Sequence, residues 1–526
     1  MSSPILTRRA FGRLSASLLA TTALSPAIAW AETPPGVLVV GQVAEPQSLD
    51  PAADTAVNDF RILVNLYEGL VRYKHGTLEV EPALAESWTI SEDGTEYTFK
   101  LRSGVKFHDG TPFDADAVKF NFDRMLVDTH PYHDTGPFPL SFFFSAVTET
   151  TVVDPQTVHF KLNAPYAPFL SNLAYPTGLL VSPTAVAKDG KDFGRNPVGT
   201  GPFKFKSWKS NESVIIERND AYWGDKAATQ AVIFRPITDA NTRVAEMLAG
   251  GIDLMVEVPP TSLAQFTPPQ FDVVEQAGPH LWFLILDCKE GPFADKRVRQ
   301  AANFAINKEA ICNDVLEGTA VVAAGPTPPA FAWAYDKSLQ PYPYDPDKAR
   351  ALLKEAGQEA PEITFYVTQG GSGMLDPVAM GTAIQADLAA VGFKVKIETF
   401  EWNTFLGKVN PGLEGKADMA EMAWMTNDPD TLPYLALRTA AWPDKGGFNS
   451  GYYSNPEVDK LLDAARTSTD QAERATLYKQ MQQIVHDDAP WVFVANWKQN
   501  AVTNDKVSNF SLEPSFFLQL QGVVKS

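Results

Sequence analysis

The sequence predicts an α/β protein with two large folding units, and three observations predict it. Residues 37–280 contain short stretches in which apolar and polar residues alternate, as in half-buried strands. Residues 290–490 instead carry helix-length segments with recognisable caps. Within that second part, strand 363–367, helix 377–391 and strand 394–400 follow one another as a βαβ unit, which makes parallel strands.

The first part is expected to be rich in strands. The alternation is clearest in three places, namely Tyr97, Phe99 and Leu101; Val158, Phe160 and Leu162; and Val214 to Glu217. Gly104 ends the first of these runs, and the Asp154-Pro155 turn precedes the second. Leu281 to Leu286 is a continuous apolar run whose length suits a buried strand and is too short for a membrane span.

The second part carries local signals for helix starts and ends. Helices are predicted to begin at Asp345-Pro346, Asp376-Pro377 and Asn455-Pro456, where a capping side chain is followed by a first-turn proline. Gly357 and Gly392 are predicted to close the first two. Asp470 and Glu473 resemble a capping box before the Leu477, Met481, Ile484, Val485 stripe. Further strands are predicted at 418–423 and 491–497.

The amino terminus predicts export. Arg8-Arg9 precedes a mildly apolar stretch from Leu14 to Ala31, and Ala29-Trp30-Ala31 fits a small-x-small cleavage pattern. We interpret residues 1–31 as a twin-arginine signal peptide, the alternative being a frayed helical terminus. A mature chain beginning near Glu32 would work outside the cytoplasm, which disfavours cytosolic metabolism, nucleotide chemistry and intracellular DNA binding.

Charge and cysteine content narrow the partners. Hydrophobic residues make up 44% and charged residues 20% of the chain, as in ordinary globular proteins. Residues 1–31 carry three arginines and no acid, so their removal takes the formal charge from −19 to −22. Such a charge opposes binding to nucleic acid and to anionic lipid. Cys288 and Cys312 are either a disulfide or two small buried residues.

A ligand site is predicted at the carboxyl ends of the second part's parallel strands, where ligands bind in open α/β sheets. Thr368 to Gly373 follows the first strand and Trp402 the second, and a third group lies around strand 418–423, namely Trp424, Asn427, Asp428 and Asp430. Aromatic rings would supply contact area and carboxylates would hold an ammonium. The alternative is two core tryptophans beside an Asn/Asp/Pro turn.

Three other residues are weaker candidates for the same site. Tyr452 and Tyr453 follow a turn-rich segment and either line the cleft or pack the start of the helix at Asn455. Arg438 would meet a ligand carboxylate, although a lone arginine on a helix is more often a surface ion-pair partner.

The sequence carries no recognisable catalytic or cofactor motif. Gly370 to Gly373 lacks the spacing of a nucleophile elbow, and Gly199-Thr200-Gly201 is followed by Lys204 where a dinucleotide fingerprint needs glycine. His130-Pro131-Tyr132-His133 is more simply an exposed turn than a metal site. We therefore predict binding without catalysis, with no metal and no cofactor.

Several segments resemble family 5 extracellular solute-binding proteins, which serve ABC importers for peptides, glutathione, nickel and opines. The matching segments are Tyr67 to Val71, Ala83 to Trp88, Gly104 to Gly110, Val198 to Phe203, Arg297 to Ala301 with Ala305 to Asn307, Tyr344 to Ala349 and Tyr453 to Asp459. The resemblance covers nearly the whole mature chain.

The resemblance implies a two-lobed periplasmic-binding-protein fold that closes on its ligand about a hinge. Lobe I would comprise 32–279 and 498–526, with an extra β-rich subdomain, and lobe II 280–497, the chain crossing near Gly278-Pro279. The protein would be a periplasmic monomer of Gram-negative type that binds a small peptide-like solute for an ABC permease in the inner membrane. It would bind no nucleic acid.

The resemblance also bears on the ligand. Dipeptide binders of this family hold the ligand's amino terminus with an aspartate three positions after the tryptophan equivalent to Trp424, and here that position is Asn427. They also place an arginine before the helix equivalent to 377–391, and the segment Gly370 to Asp376 has none. We therefore favour an oligopeptide or glutathione-type ligand. Alternatives are an opine, nickel, haem or modified-sugar ligand, an exported peptide hydrolase, and a sensor that serves a chemoreceptor.

Overall fold

The computed structural model describes residues 33–370, 373–374 and 376–526. The predicted signal peptide lies outside the described residues. Within the described ranges, no helix is both long and apolar enough to cross a membrane.

The structure contains both strands and helices throughout the described chain. The strands are β1 (Val37–Gln42), β2 (Val71–Tyr73), β3 (Val80–Pro82), β4 (Ala85–Ile90), β5 (Glu96–Leu101), β6 (Val147–Asp154), β7 (Thr157–Leu162), β8 (Phe203–Lys209), β9 (Ser213–Arg218), β10 (Ala231–Pro236), β11 (Leu254–Val256), β12 (Phe271–Ala277), β13 (His280–Leu286), β14 (Ala320–Val322), β15 (Glu362–Thr368), β16 (Lys394–Phe400), β17 (Met419–Met425), β18 (Trp491–Asn504), β19 (Val507–Ser508) and β20 (Val524–Lys525). The helices are α1 (Val57–Leu66), α2 (Ala115–Leu126), α3 (Phe169–Ala174), α4 (Pro183–Asp189), α5 (Ala240–Leu248), α6 (Lys296–Ala305), α7 (Lys308–Ala310), α8 (Pro346–Glu355), α9 (Pro377–Ala390), α10 (Trp402–Val409), α11 (Thr431–Ala436), α12 (Pro456–Thr467) and α13 (Gln471–Asp488).

One twelve-stranded sheet runs through most of the molecule, in the order β16-β15-β17-β13-β18-β11-β1-β10-β9-β8, with β12 and β14 also paired to β18. The long strand β18 joins its two halves. Its residues Trp491 to Ala495 pair with β13, and Ala501 to Thr503 pair with β11. Lobe I denotes strands β1 to β12 with helices α1 to α5. Lobe II denotes strands β13 to β17 with helices α6 to α13. The exact domain limits remain a prediction.

Lobe II confirms the βαβ prediction. β15 and β16 are parallel in full register, with α9 between them, and β17 pairs in parallel on the other side of β15. β13 is buried along its whole length because its side chains alternate between two apolar clusters. Trp282 and Leu284 belong to one cluster, and Leu281 and Phe283 to the other. The sheet of lobe II is therefore covered on both faces.

The β-rich part of lobe I is a four-stranded antiparallel sheet in the order β4-β5-β7-β6. Its inward face contributes Phe99 and Phe160, which meet each other edge to face. Phe160 also meets Phe122 of α2 and Phe169 of α3 edge to face. The predicted alternation at 97–101 and 158–162 is the alternation of this face. The helix α3 closes one end of this core and also contacts lobe II.

The predicted helix caps are confirmed, with one difference. Asp345 and Asp376 accept backbone N–H bonds at the starts of α8 and α9, and Asn455 does so for α12. Asp470 caps α13, but the Glu473 carboxylate accepts from the Ser468 hydroxyl at 2.7 Å, so the reciprocal half of a capping box is missing. A serine two residues before the cap competes for that carboxylate.

Both cysteines are free thiols. Cys288 is half-buried just after β13, and Cys312 is buried in the short π-helix Ile311–Val315 that follows α7. Of the two interpretations, the structure shows the unpaired one, and burial raises the pKa of each thiol to about 12.

Candidate functional site

The candidate site is the junction between the lobes, at the edge where β17 ends. Because β15, β16 and β17 are parallel, their last residues meet at one edge of the sheet, as the sequence predicts. From Thr426 to Asp430 the chain turns into α11, and this turn faces α3 of lobe I. The junction is therefore built from a strand end in lobe II and a short helix in lobe I.

A small cavity of about 10 Å³, room for about one water molecule, lies at this junction. Both lobes and the crossing between them contribute to its wall. The lining residues are Tyr73, Leu78, Tyr175, Pro279, Met425, Thr426, Asn427 and Ser515. Burial raises the pKa of both tyrosines, so their hydroxyls stay protonated, and that of Tyr73 donates to the Ser171 carbonyl at 3.4 Å.

The lobes touch directly beside this cavity. The Ser171 hydroxyl of α3 donates to Asp428 Oδ2 at 2.8 Å, and Asn427 Nδ2 donates to Asn172 Oδ1 at 2.7 Å. A backbone bond from Ala167 N to the Arg466 carbonyl, at 2.8 Å, adds a third contact. The structure thus shows the lobes in contact along this edge.

Asp428 is neutralised within its own lobe. Its Oδ1 accepts from Arg474 Nη2 of α13 at 2.7 Å and from the Asp430 backbone N–H at 2.9 Å. Both side chains are almost fully buried, with 1% of Asp428 and 9% of Arg474 exposed. Burial works to lower the pKa of Arg474, but Asp428 and the Tyr478 hydroxyl raise it above its ordinary value. Arg474 therefore keeps its charge in the folded protein.

Asp430 has an arginine of its own. Its Oδ2 lies 2.9 Å from Arg466 Nη1 of α12, and the guanidinium also lies 3.6 Å from the ring centre of Tyr434 and 4.7 Å from that of Tyr166 in lobe I. Burial raises the pKa of Asp430 to about 6, against the opposing effect of Arg466. Asp430 Oδ1 is buried with no hydrogen-bond partner among the described residues.

The two predicted tryptophans lie away from the junction cavity. Trp424 points to the other face of β17, where it meets Phe448 edge to face at 5.5 Å and lines a separate cavity of about 10 Å³ inside lobe II with Trp491 and Asn410. Trp402 begins α10 and stacks on Phe405 at 5.9 Å. Neither ring is among the described residues that line the junction cavity.

The remaining predicted residues also lie apart. Cys288 N donates to the Gly451 carbonyl, which places Tyr452 and Tyr453 at the Met419 end of β17, about 20 Å along the strand from Met425. The Tyr453 hydroxyl donates to Asp488 at 2.6 Å. Arg438 pairs with Asp463 at 2.7 Å and stacks on Tyr434 at 4.0 Å. Their roles as ligand contacts stay predictions.

Sequence reasoning missed the lobe I side of the junction. Tyr73 lies in a three-residue strand and Tyr175 in a turn after α3, and no spacing pattern distinguishes either from other aromatic residues. Ser171 and Asn172 carry no signal for the same reason. The partners Arg466 and Arg474 lie 36 and 46 residues after the aspartates they pair with, so local spacing could not reveal them.

The described residues contain no group of three or more His, Cys, Asp or Glu side chains placed to hold a metal ion. His133 Nδ1, from the histidine pair considered above, lies 2.9 Å from the Arg124 carbonyl in a surface turn.

Comparison with known proteins gives consistent matches. The family model for bacterial extracellular solute-binding proteins, family 5, middle region, matches residues 79–445. The chain is 33% identical over 517 residues to di/tripeptide-binding protein 2 of Pseudomonas aeruginosa, covering 94% of this chain and 96% of the relative. Among solved structures, HbpA2 from Haemophilus parasuis matches with a TM-score of 0.87 and 31% identity, covering 93% of this chain and 100% of that one. The periplasmic binding protein DppA from Helicobacter pylori, in complex with the peptide STSA, matches with a TM-score of 0.74 and 33% identity over 93% of this chain and 98% of that one.

Proposed function

The chain belongs to family 5 of the bacterial extracellular solute-binding proteins, and we propose that it binds a peptide or peptide-like solute between its lobes and delivers it to an ABC permease of the inner membrane. As in the rest of this family, it is the binding component of an importer and not an enzyme. The exported hydrolase considered from the sequence is thereby set aside.

The observation that carries the proposal is the junction cavity, whose wall comes from both lobes and from the crossing at Pro279. The cavity marks where the lobes meet, and a solute that enters when the lobes part would contact both of them at once. Such a solute binds the closed arrangement better and shifts the population towards it. Two relatives support the peptide class, since one is a di/tripeptide-binding protein and the other a complex with a peptide.

Among the ligand contacts expected from the sequence, Asn427 has the strongest support because it lines the cavity. Asp428 would have to exchange Arg474 for a ligand ammonium, whereas Asp430 keeps one buried oxygen without a partner among the described residues. The other expected contacts would have to act from outside the cavity; they are Trp402, Trp424, Tyr452, Tyr453 and Arg438. We propose Tyr73, Tyr175 and Thr426 as additional contacts.

We further propose that the mature protein is a periplasmic monomer, exported by the twin-arginine segment at Arg8-Arg9. The family works outside the cytoplasm, which supports this location. Use of the same closure by a chemoreceptor remains the alternative to transport. Loss of peptide uptake, without loss of chemotaxis, in a strain lacking the protein would favour the importer.

The binding site is tested by calorimetry with di- and tripeptides and glutathione on matched asparagine variants. Asn427→Ala should weaken binding ten-fold or more because it removes a polar contact of the junction cavity. Asn410→Ala removes the same chemistry from the separate cavity beside Trp424 and should leave affinity within two-fold.

The reverse result, with Asn410→Ala impaired and Asn427→Ala unchanged, would move the ligand into lobe II. Absence of binding by any peptide would contradict the proposed ligand class, and opines, haem, nickel and modified sugars would then be titrated.

A further inference from the structure

The junction cavity is lined by uncharged groups. Its eight described lining residues include no carboxylate, ammonium or guanidinium. What they offer is hydroxyls from two tyrosines, a threonine and a serine, one amide, and apolar surface from Leu78, Pro279 and Met425. Most of the surface that faces the cavity is apolar, so this wall cannot balance a charge.

The acids just outside the cavity already have partners. Asp428 accepts from Arg474, from the Asp430 backbone N–H and from Ser171, which uses both of its oxygens. Asp430 faces Arg466 at 2.9 Å. An ammonium could displace Arg474 from Asp428 only by leaving a buried guanidinium without its counter-charge. Asp430 keeps one oxygen without a partner among the described residues, but it does not line the cavity.

A third acid lies near the cavity on the carboxy-terminal segment and is also engaged. Glu513, two residues before the lining residue Ser515, is 5% exposed. Its Oε1 lies 2.6 Å from His75 Nδ1, and its Oε2 accepts from Gly76 N at 2.8 Å. These bonds hold the β2–β3 turn, which carries the lining residues Tyr73 and Leu78.

We propose, building on the peptide-binding function above, that the preferred solute is a peptide whose amino terminus is acylated. A free terminal ammonium enclosed beside Asn427 would lose its hydration without gaining a counter-charge. An acyl amide at the same place needs only a donor and an acceptor, which the Asn427 side chain can supply by exchanging its bonds to Asn172 and Thr431 without leaving a charge unpaired. The acyl carbons would lie against Leu78 and Met425.

The proposal is tested by competition on the native mature protein. An equimolar tripeptide library, half of it N-acetylated, is incubated with the protein, unbound peptide is removed by gel filtration, and retained peptides are identified by mass spectrometry. The acetylated half should be enriched at least ten-fold. Equal or greater retention of the free-amine half would overturn the acyl preference and leave the peptide-binding function standing. Retention of neither half would overturn both.

A matched pair of variants tests the cause of the preference. Thr426→Asp places a carboxylate in the cavity wall, and Thr426→Asn places an uncharged side chain of the same shape there; neither touches the Asn427–Asn172 bond. Retention of free-amine peptides should rise at least ten-fold in Thr426→Asp relative to Thr426→Asn. If the two variants retain the same peptides, charge at this position does not set the selectivity, and the proposal is wrong.

Discussion

Single residues at the junction serve the fold and the candidate site together. Asp428 is the clearest case, because it holds Arg474 within lobe II and Ser171 across the junction. Removing one partner of a buried ion pair costs about 3–5 kcal/mol, since the other charge is left without compensation. Weak binding by an Asp428 variant would therefore report a damaged lobe as readily as a lost ligand contact. Asn427 and Thr426 are the better probes because replacing an uncharged side chain leaves no buried charge unpaired.

His280, the first residue of β13 after the crossing, makes stability depend on pH. Its Nδ1 accepts from the Trp497 backbone N–H at 3.3 Å, so Nε2 carries the proton that faces the Gly373 carbonyl at 2.7 Å. Burial lowers the pKa of His280 from 6.5 to about 4, although the Gly373 bond partly opposes this. The neutral ring is the form that the folded protein holds.

Because the pKa of His280 is lower in the folded protein than in the unfolded chain, acid destabilises the fold. The unfolded chain takes up the proton first, so the contribution of His280 is fully present above pH 6.5 and is lost as pH falls towards 4, by about 3 kcal/mol in all. Between pH 7.5 and pH 5.0, the free energy of unfolding measured with urea should fall by about 2 kcal/mol more in the native protein than in His280→Gln. Equal losses in the two proteins would show that the histidine does not cause the effect.

At the scale of elements, local signals predicted well and long-range partners did not. The starts of α8, α9 and α12 were predicted because a capping side chain and a proline lie within two residues of each other. The parallel strands followed from their spacing around α9. The meeting of α3 with the turn after β17 involves residues about 255 positions apart, and only the tertiary fold brings them together.

The contact between α3 and lobe II should influence how readily the lobes open. Ser171→Ala removes one hydrogen bond to a carboxylate that keeps Arg474, at a cost of about 1 kcal/mol to the closed arrangement. The radius of gyration without solute, measured by X-ray scattering, should increase, and solute affinity should fall about five-fold. Ser338→Ala is the matched control, because it removes a hydroxyl–carboxylate bond of 2.7 Å to Asp336 entirely within lobe II. If both variants scatter alike, the α3 contact does not hold the lobes together.

For the molecule as a whole, the shared strand β18 explains why two lobes form one continuous sheet. The sequence predicts a strand at 491–497, whereas the structure continues it to Asn504. Residues 498–504 are mostly polar and carry no alternation of apolar residues, yet several of their polar side chains are buried. Asn500, for example, hydrogen-bonds to the backbone of Val258. A pattern based on burial of apolar residues therefore ends the strand too early, at the point where the chain passes into lobe I.

The second crossing, at Gly278 between β12 and β13, should tolerate no added side chain. A Cβ built there would overlap the ring of Phe516, which is fully buried, packs edge-on against Trp497 at 5.1 Å and sits at a backbone φ of 67°. Since neither ring can move away without disturbing the crossing, Gly278→Ala should cost about 1–3 kcal/mol in the free energy of unfolding and reduce the scattering change on solute binding. Gly407→Ala in α10, where no described atom lies within 4 Å of the added carbon, should instead stabilise the protein by up to about 1 kcal/mol. Thermal unfolding of the two variants compares these costs directly, and equal melting temperatures would show that the close approach at Gly278 does not constrain the crossing.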